Sequence, residues 1–188
     1  MRIGNKTLTK DGEPFIIAEL SANHAGSIER AKSSMLAAKN AGASAVKIQT
    51  YTPDTMTLNS NKEDFQIKSG LWKGYNLYQL YEEAHTPFEW HQELFLFAQN
   101  NGITLFSTPF DETAVDLLES LNAPAYKIAS FELTDIHLIR YVAKTQKPML
   151  ISTGMGSLEE IEEAVKVARD AGNQDLLLFH CISSYPAL

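Results

Sequence analysis

Six short apolar runs punctuate the chain, and each finishes in Glu, Lys, Ser or Thr. They are Phe15-Ile-Ile-Ala-Glu19, Val46-Lys-Ile-Gln-Thr50, Leu105-Phe-Ser-Thr108, Tyr126-Lys-Ile-Ala-Ser130, Leu150-Ile-Ser-Thr153 and Phe179-His-Cys-Ile-Ser-Ser184. Each predicts a strand that is buried along its length and polar at its carboxyl end. The strands are expected at Phe15–Leu20, Ala45–Thr50, Ile103–Thr108, Ala125–Ser130, Met149–Thr153 and Leu176–Cys181. Helix signals fall between them. Ser27 caps a helix from Ile28 to Asn40, which Ala41-Gly42 ends. Further helices are expected from Pro87 to Asn101-Gly102, from Glu112 to Leu121, and from Asp135 to just before Lys147-Pro148. The capping box Ser157-Leu-Glu-Glu160 opens a last one that runs to Gly172. Ahead of the first strand, Arg2 to Phe15 reads as a hairpin turning at Lys10-Asp-Gly12. Tyr51–Thr86 is a long irregular stretch with short helical patches, and loops of that length are often functional.

Strands that alternate with helices predict a parallel sheet. An open doubly wound sheet places its ligand at one switch point, so only a few strand ends need polar residues. A closed barrel brings every strand end to one axis. Six polar ends favour the barrel. A complete barrel of this kind has eight strands and typically ~250 residues. The expected fold is therefore α/β, a TIM (β/α)8-type barrel truncated after about six strands, with an N-terminal β-hairpin. Residues 1–188 are expected to form one incomplete barrel domain.

Two of the strand-end charges are lysines, Lys47 and Lys127, inside otherwise apolar runs. That pattern points to an anionic ligand. The net charge of −7 argues against nucleic acid as a general partner, but does not preclude a local basic pocket. No apolar run approaches the ~18 residues of a membrane span, and the first residues lack a signal-peptide core. Cys181 is the single cysteine, so no internal disulfide forms, which fits a reducing cytoplasm. Glu19 closes the first strand behind Ile16-Ile-Ala18, where an acid is expensive unless paired or used. A salt bridge to Lys47 and a catalytic role are both open, and they are compatible. Strict alternation would put Lys127 and Ser130 on opposite faces, so one of them must lie beyond the regular strand. His24 is either structural or part of the site. His180 suits a metal ligand or a core residue and is read as core, Cys181 is read as a buried thiol, and His85, His91 and His137 as structural. Tyr75, Tyr78 and Tyr81 recur at helical spacing, which suggests packing.

Taken together, Glu19-Leu-Ser-Ala-Asn-His-Ala-Gly-Ser27, Lys47-Ile-Gln-Thr50, Phe106-Ser-Thr-Pro-Phe110, Tyr126-Lys-Ile-Ala-Ser130, Ser152-Thr-Gly154 and Ser184-Tyr-Pro186 resemble the sialic acid synthase family along essentially the whole chain. Glu19-Leu-Ser-Ala-Asn-His24, Lys47-Ile-Gln-Thr-Tyr-Thr-Pro53 and the Leu71-Trp72 loop are most similar to its pseudaminic acid synthase branch.

The resemblance implies condensation of phosphoenolpyruvate with 2,4-diacetamido-2,4,6-trideoxy-L-altrose to give pseudaminic acid and phosphate. The alternatives are an N-acetylneuraminate or legionaminate synthase and, from another class, a non-catalytic fragment that binds an anion or associates with other chains. It implies Glu19 as the catalytic residue. Around phosphoenolpyruvate it places Lys47, Thr108, Lys127, Ser130, Ser152 and Ser183, the last at a position that is usually Asn in the family. The lysines suit the dianion, and the hydroxyls donate hydrogen bonds without adding charge. Trp72 and Tyr185 are expected to meet the sugar. The resemblance also implies a divalent cation, Mn2+ or Mg2+, that polarises the sugar aldehyde. Its ligands are expected beyond Leu188, with none within this chain. A C-terminal antifreeze-like domain that reaches a partner protomer implies a homodimer at full length. Residues 1–188 alone are expected to be inactive, and the enzyme cytoplasmic.

Overall fold

The computed structural model describes residues 1–183, so Tyr185 and the Ser184-Tyr-Pro186 motif lie outside the described residues. The chain opens with a hairpin of β1 (Arg2–Ile3) and β2 (Lys6–Thr7). Its turn is Gly4-Asn5, not Lys10-Asp-Gly12. Gly4 takes the left-handed φ of 59° that a two-residue turn requires. Gly12 closes a separate turn by donating its N–H to the Thr9 carbonyl.

Six parallel strands then pair in sequence order: β3 (Ile17–Glu19), β4 (Ala45–Thr50), β5 (Leu105–Pro109), β6 (Tyr126–Ile128), β7 (Met149–Ser152) and β8 (Leu176–Phe179). The connections are α1 (Ile28–Asn40), α2 (Pro53–Met56), α3 (Leu77–Ala84), α4 (Phe88–Asn100), α5 (Glu112–Ser120), α6 (Ile136–Ala143) and α7 (Leu158–Asp170). Side-chain caps set where they start. Ser27, Asp111 and Asp135 accept the N–H groups of Arg30, Ala114 and Leu138, and Ser157 with Glu160 forms the expected capping box. Among the described residues no helix is long and apolar enough to cross a membrane.

Alternation along each strand divides the side chains into two sets. One set packs outward against the helices. Val46, Ile48 and Leu105 meet Met35 and Leu94, while Tyr126, Ile128, Met149 and Ile151 meet Leu118, Ile139 and Ala164. The other set points inward. Ala45, Phe106, Ala125 and Leu150 form an apolar layer there, with Ile17 and Phe179 against it, and Ile3 of the hairpin fills it from below. Two residues further along the strands come Glu19, Lys47, Thr108, Lys127 and Ser152. A polar layer therefore lies on an apolar floor, at the end where barrel enzymes build their sites.

Every parallel strand except β4 is shorter than expected, and at β3, β6 and β8 the difference bears on the site. β3 lies at a sheet edge and pairs over Ile17–Glu19 only. After Ile128 the chain turns into a 3-10 helix, Phe131–Thr134, with Ser130 in the helical region at φ −65°. Ser130 thus leaves the strand and escapes the opposite face. β8 stops at Phe179, which puts His180 beyond the strand and exposed, so the core reading of His180 does not hold. Cys181 is half-buried, not buried.

Candidate active site

Glu19 and Lys47 are register partners on neighbouring strands. The Lys47 ammonium bonds the Glu19 carboxylate and also donates to Thr108 Oγ1 at 2.9 Å. Glu19 Oε1 accepts the N–H of Ser21 at 2.9 Å, so both carboxylate oxygens are held. Two strands further along the sheet from Lys47, Lys127 donates to Ser152 Oγ at 2.5 Å and to the Ile128 carbonyl at 2.8 Å. Burial lowers the Lys127 pKa to about 8, and the nearby charge of Lys47 adds to the effect. A cavity of about 300 Å³ is lined by Glu19, Lys47, Lys127, Ser152, His180 and Cys181 over the apolar Phe15, Ile17 and Phe179.

Beside this cavity the loops after β6, β7 and β8 converge on Gly154. A Cβ there would collide with the Ser183 hydroxyl and come within 2.8 Å of Ser130 Oγ. The Cys181 thiol reports the same convergence. Burial pushes its pKa up, but the Ser152 hydroxyl, the Thr153 and Gly154 backbone groups and the Ser130 hydroxyl together hold it below the ordinary thiol value. Backbone and hydroxyl donors aimed at one point form a nest suited to an anion. The structure thus brings together Glu19, Lys47, Thr108, Lys127, Ser130, Ser152 and Ser183.

Trp72 stands apart. It lies near the tip of a loop clasped by the Gln66–Asn76 bridge, 51% exposed and outside the lining of the cavity. Leu71 beside it is also exposed. The base of the long stretch is fixed by Tyr51, which meets Tyr81 and Phe110 edge-on at 5.9 and 5.3 Å, and by a Thr55–Asp111 hydrogen bond. Tyr81 is therefore a packing residue. His91 is structural too, buried between Thr50 Oγ1 at 2.8 Å and the Pro87 carbonyl.

Two further polar residues border the site without having stood out in the sequence. Gln49 sits one inward step above Lys47 and accepts the Ser21 hydroxyl; the i, i+2 spacing from Lys47 was the available signal. Glu132 lies in the 3-10 turn after β6. Its Oε2 is buried without a partner among the described residues, and burial raises its pKa while Lys127 pulls it down. It borders a second cavity of about 280 Å³ with Thr55, Phe110 and Asp135. A larger cavity, about 470 Å³, opens at the opposite end between α4 and α5, and among the described residues no charged side chain lines it. Among the described residues no three His, Cys, Asp or Glu side chains come together as metal ligands.

Residues 34–188 match the NeuB family. The chain belongs to the NeuB family. Its NeuB-family relatives include the pseudaminic acid synthase of Campylobacter jejuni, 53% identical over 186 residues that cover 99% of this chain and 54% of the relative. The pseudaminic acid synthase of Helicobacter pylori is 49% identical over 174 residues, 93% of this chain and 51% of the relative. Among solved structures, the N-acetylneuraminic acid synthetase of Leptospira borgpetersenii in complex with citrate superposes with a TM-score of 0.86 at 29% identity, covering all of this chain and 61% of that one. The chain spans about half the length of the curated relatives it matches.

Proposed function

We infer that the protein condenses phosphoenolpyruvate with 2,4-diacetamido-2,4,6-trideoxy-L-altrose to give pseudaminic acid and phosphate. The observation that carries this reading is the meeting of two lysines and one carboxylate in a single cavity, next to a hydroxyl-lined nest. The similarity to two pseudaminic acid synthases supports the choice of sugar. In the reaction C3 of phosphoenolpyruvate forms a bond to the sugar's aldehyde carbon, whose oxygen gains a proton. Water adds at C2, and phosphate leaves with cleavage of its bond to that carbon.

Lys127, Ser130, Ser152 and Ser183 suit one anionic group of phosphoenolpyruvate, and Lys47 with Thr108 suits the other. Glu19, fixed by Lys47 and Ser21, handles the proton of the attacking water or of the sugar hydroxyl. Trp72 and Tyr185 are assigned to the sugar. A bound Mn2+ or Mg2+ would polarise the aldehyde; its ligands would come from outside the described residues, and the roles of Glu19, Lys47 and Lys127 do not involve it. The protein is assigned to the cytoplasm as a homodimer.

The test is titration calorimetry of phosphoenolpyruvate on the complete gene product. Lys47→Ala and Lys127→Ala should each weaken binding about ten- to hundredfold, since a hydrogen bond to a charged group is worth roughly 1.5–3 kcal/mol. Unchanged affinity in both variants removes them from the site. A phosphate-release assay with the sugar then tests the condensation itself.

A further inference from the structure

The loop after β3, residues 20–26, contains two non-glycine residues in the left-handed region, Ser21 at φ 47° and Ala25 at φ 45°, followed by Gly26 at φ 70°. Such backbone persists only where its surroundings over-determine it. At one end of this loop the Ser21 N–H holds Glu19 Oε1, and the Ser21 hydroxyl donates to Gln49 Oε1 at 3.3 Å. At the other end is His24. Its ring is 1% exposed and meets Trp90 of α4 edge-on at 5.5 Å. Nδ1 accepts the Gly26 N–H at 3.1 Å, and the His24 carbonyl accepts the N–H of Ser27, the residue that caps α1. His24 is not among the residues that line the cavity.

We propose that His24 is a positioning residue for Glu19: by holding Gly26 through Nδ1 while wedged against Trp90, it locks loop 20–26 in the one conformation that aims the Ser21 N–H at the carboxylate. The proposal rests on the reading of Glu19 as the proton-handling group. It also requires one tautomer. An Nδ1 that accepts leaves the ring proton on Nε2. An imidazolium would instead set a second N–H against that of Gly26. The environment favours the neutral ring. Burial lowers the His24 pKa, the Ala84 carbonyl opposes this and His85 adds to it. Nε2 itself is buried and makes no hydrogen bond of ordinary geometry among the described residues, so Nδ1 is the atom that ties the ring to the loop.

Two variants of the complete gene product separate this role from general packing. His24→Phe keeps a buried aromatic edge against Trp90 and removes the acceptor. His24→Asn offers an amide oxygen close to the position of Nδ1. Hydrogen exchange read by mass spectrometry should quicken over residues 19–27 in His24→Phe and stay slow in α7. Turnover should fall about 10- to 100-fold, the loss that a small misplacement of a reacting group produces. The affinity for phosphoenolpyruvate should stay within about twofold. His24→Asn should recover most of the exchange protection and of the turnover. If His24→Phe fails to fold, His24→Leu takes its place in the comparison. Normal exchange and normal turnover in the acceptor-free variant would overturn the proposal. So would equal losses in the Phe and Asn variants. Faster exchange in His24→Phe with no condensation by the unmodified protein would overturn the link to catalysis and leave the loop lock standing.

Discussion

Glu19 and Lys47 face each other in register on β3 and β4, and their side chains close an ion pair at the mouth of the barrel. Lys47 is nearly covered while Glu19 stays 41% exposed, so the carboxylate is anchored through both oxygens yet still open to the cavity. Replacing it with Gln keeps the shape and removes the basicity. Glu19→Gln should lower turnover about 10²–10⁴-fold, the range for a lost acid–base group. Phosphoenolpyruvate affinity should change far less. Near-normal turnover would reduce Glu19 to a structural partner of Lys47.

Lys127 gives a prediction in pH. Its pKa is lowered to about 8 by burial and then by Lys47. Below pH 8 the ammonium is charged and attracts the anion; above it the charge is lost. Phosphoenolpyruvate affinity should therefore fall as pH rises through about 8, approaching a tenfold loss per unit for one linked proton. The stability effect has the opposite sign. The native pKa lies below the ordinary 10.5, so the unfolded chain holds its proton longer and stability grows as pH rises from about 8 to 10.5. Calorimetry from neutral to alkaline pH, with Lys127→Met as the control lacking the titration, checks the first effect. A flat affinity profile in the unmodified protein would contradict it.

Gly154 is the close approach on which the proposed anion nest depends. Gly154→Ala drives a methyl group into the Ser130 and Ser183 hydroxyls. Overpacking of this kind typically costs about 1–3 kcal/mol. The variant should keep its circular dichroism spectrum, melt at a lower temperature and bind phosphoenolpyruvate at least about tenfold more weakly, the factor that roughly 1.4 kcal/mol represents. Full affinity in a folded Gly154→Ala protein would place the anion elsewhere.

Trp72 carries the prediction for the sugar. It is an exposed indole on a clasped loop, and under the proposed function its apolar face would meet a deoxygenated sugar with a methyl at C6. Trp72→Ala should raise KM for the trideoxy diacetamido sugar and leave that for phosphoenolpyruvate unchanged. In competition the unmodified protein should prefer this sugar to N-acetylmannosamine. Equal or reversed preference would move the chain to the neuraminate branch.

Sequence pattern locates α1 and β4 residue for residue, because Ser27, Ala41-Gly42 and the apolar run Ala45–Ile48 leave little choice of boundary. It also separates Lys127 from Ser130, which cannot share one face of a strand, since alternation with a period of two forbids it. Its failures fall where periodicity ends. Glu132 lies in a single 3-10 turn, too short to show a repeat. His180 reads as part of a strand that in fact stops one residue earlier, because Leu176–Phe179 and His180-Cys181 form one run on paper. The hairpin turn is misplaced because Lys10-Asp-Gly12 is the stronger turn motif, whereas Gly4-Asn5 is the pair that returns Lys6 to Ile3. The grouping around Gly154 joins three separate loops, a distance relation that no local pattern encodes.

The stacking of one charged layer on one apolar layer has a consequence for how the chain finds its fold. A slip of one residue in β4 would carry Lys47 to the helix-facing side, among residues such as Met35 and Leu94, and turn Val46 or Ile48 into the mouth. An unpaired ammonium buried there is strongly unfavourable. Lys127 penalises a slip of β6 in the same way, and Glu19 loses its partner if β3 moves. The lysines proposed to hold an anion, and the carboxylate paired with one of them, would thus act earlier as alignment marks that reject misregistered sheets before any ligand is present.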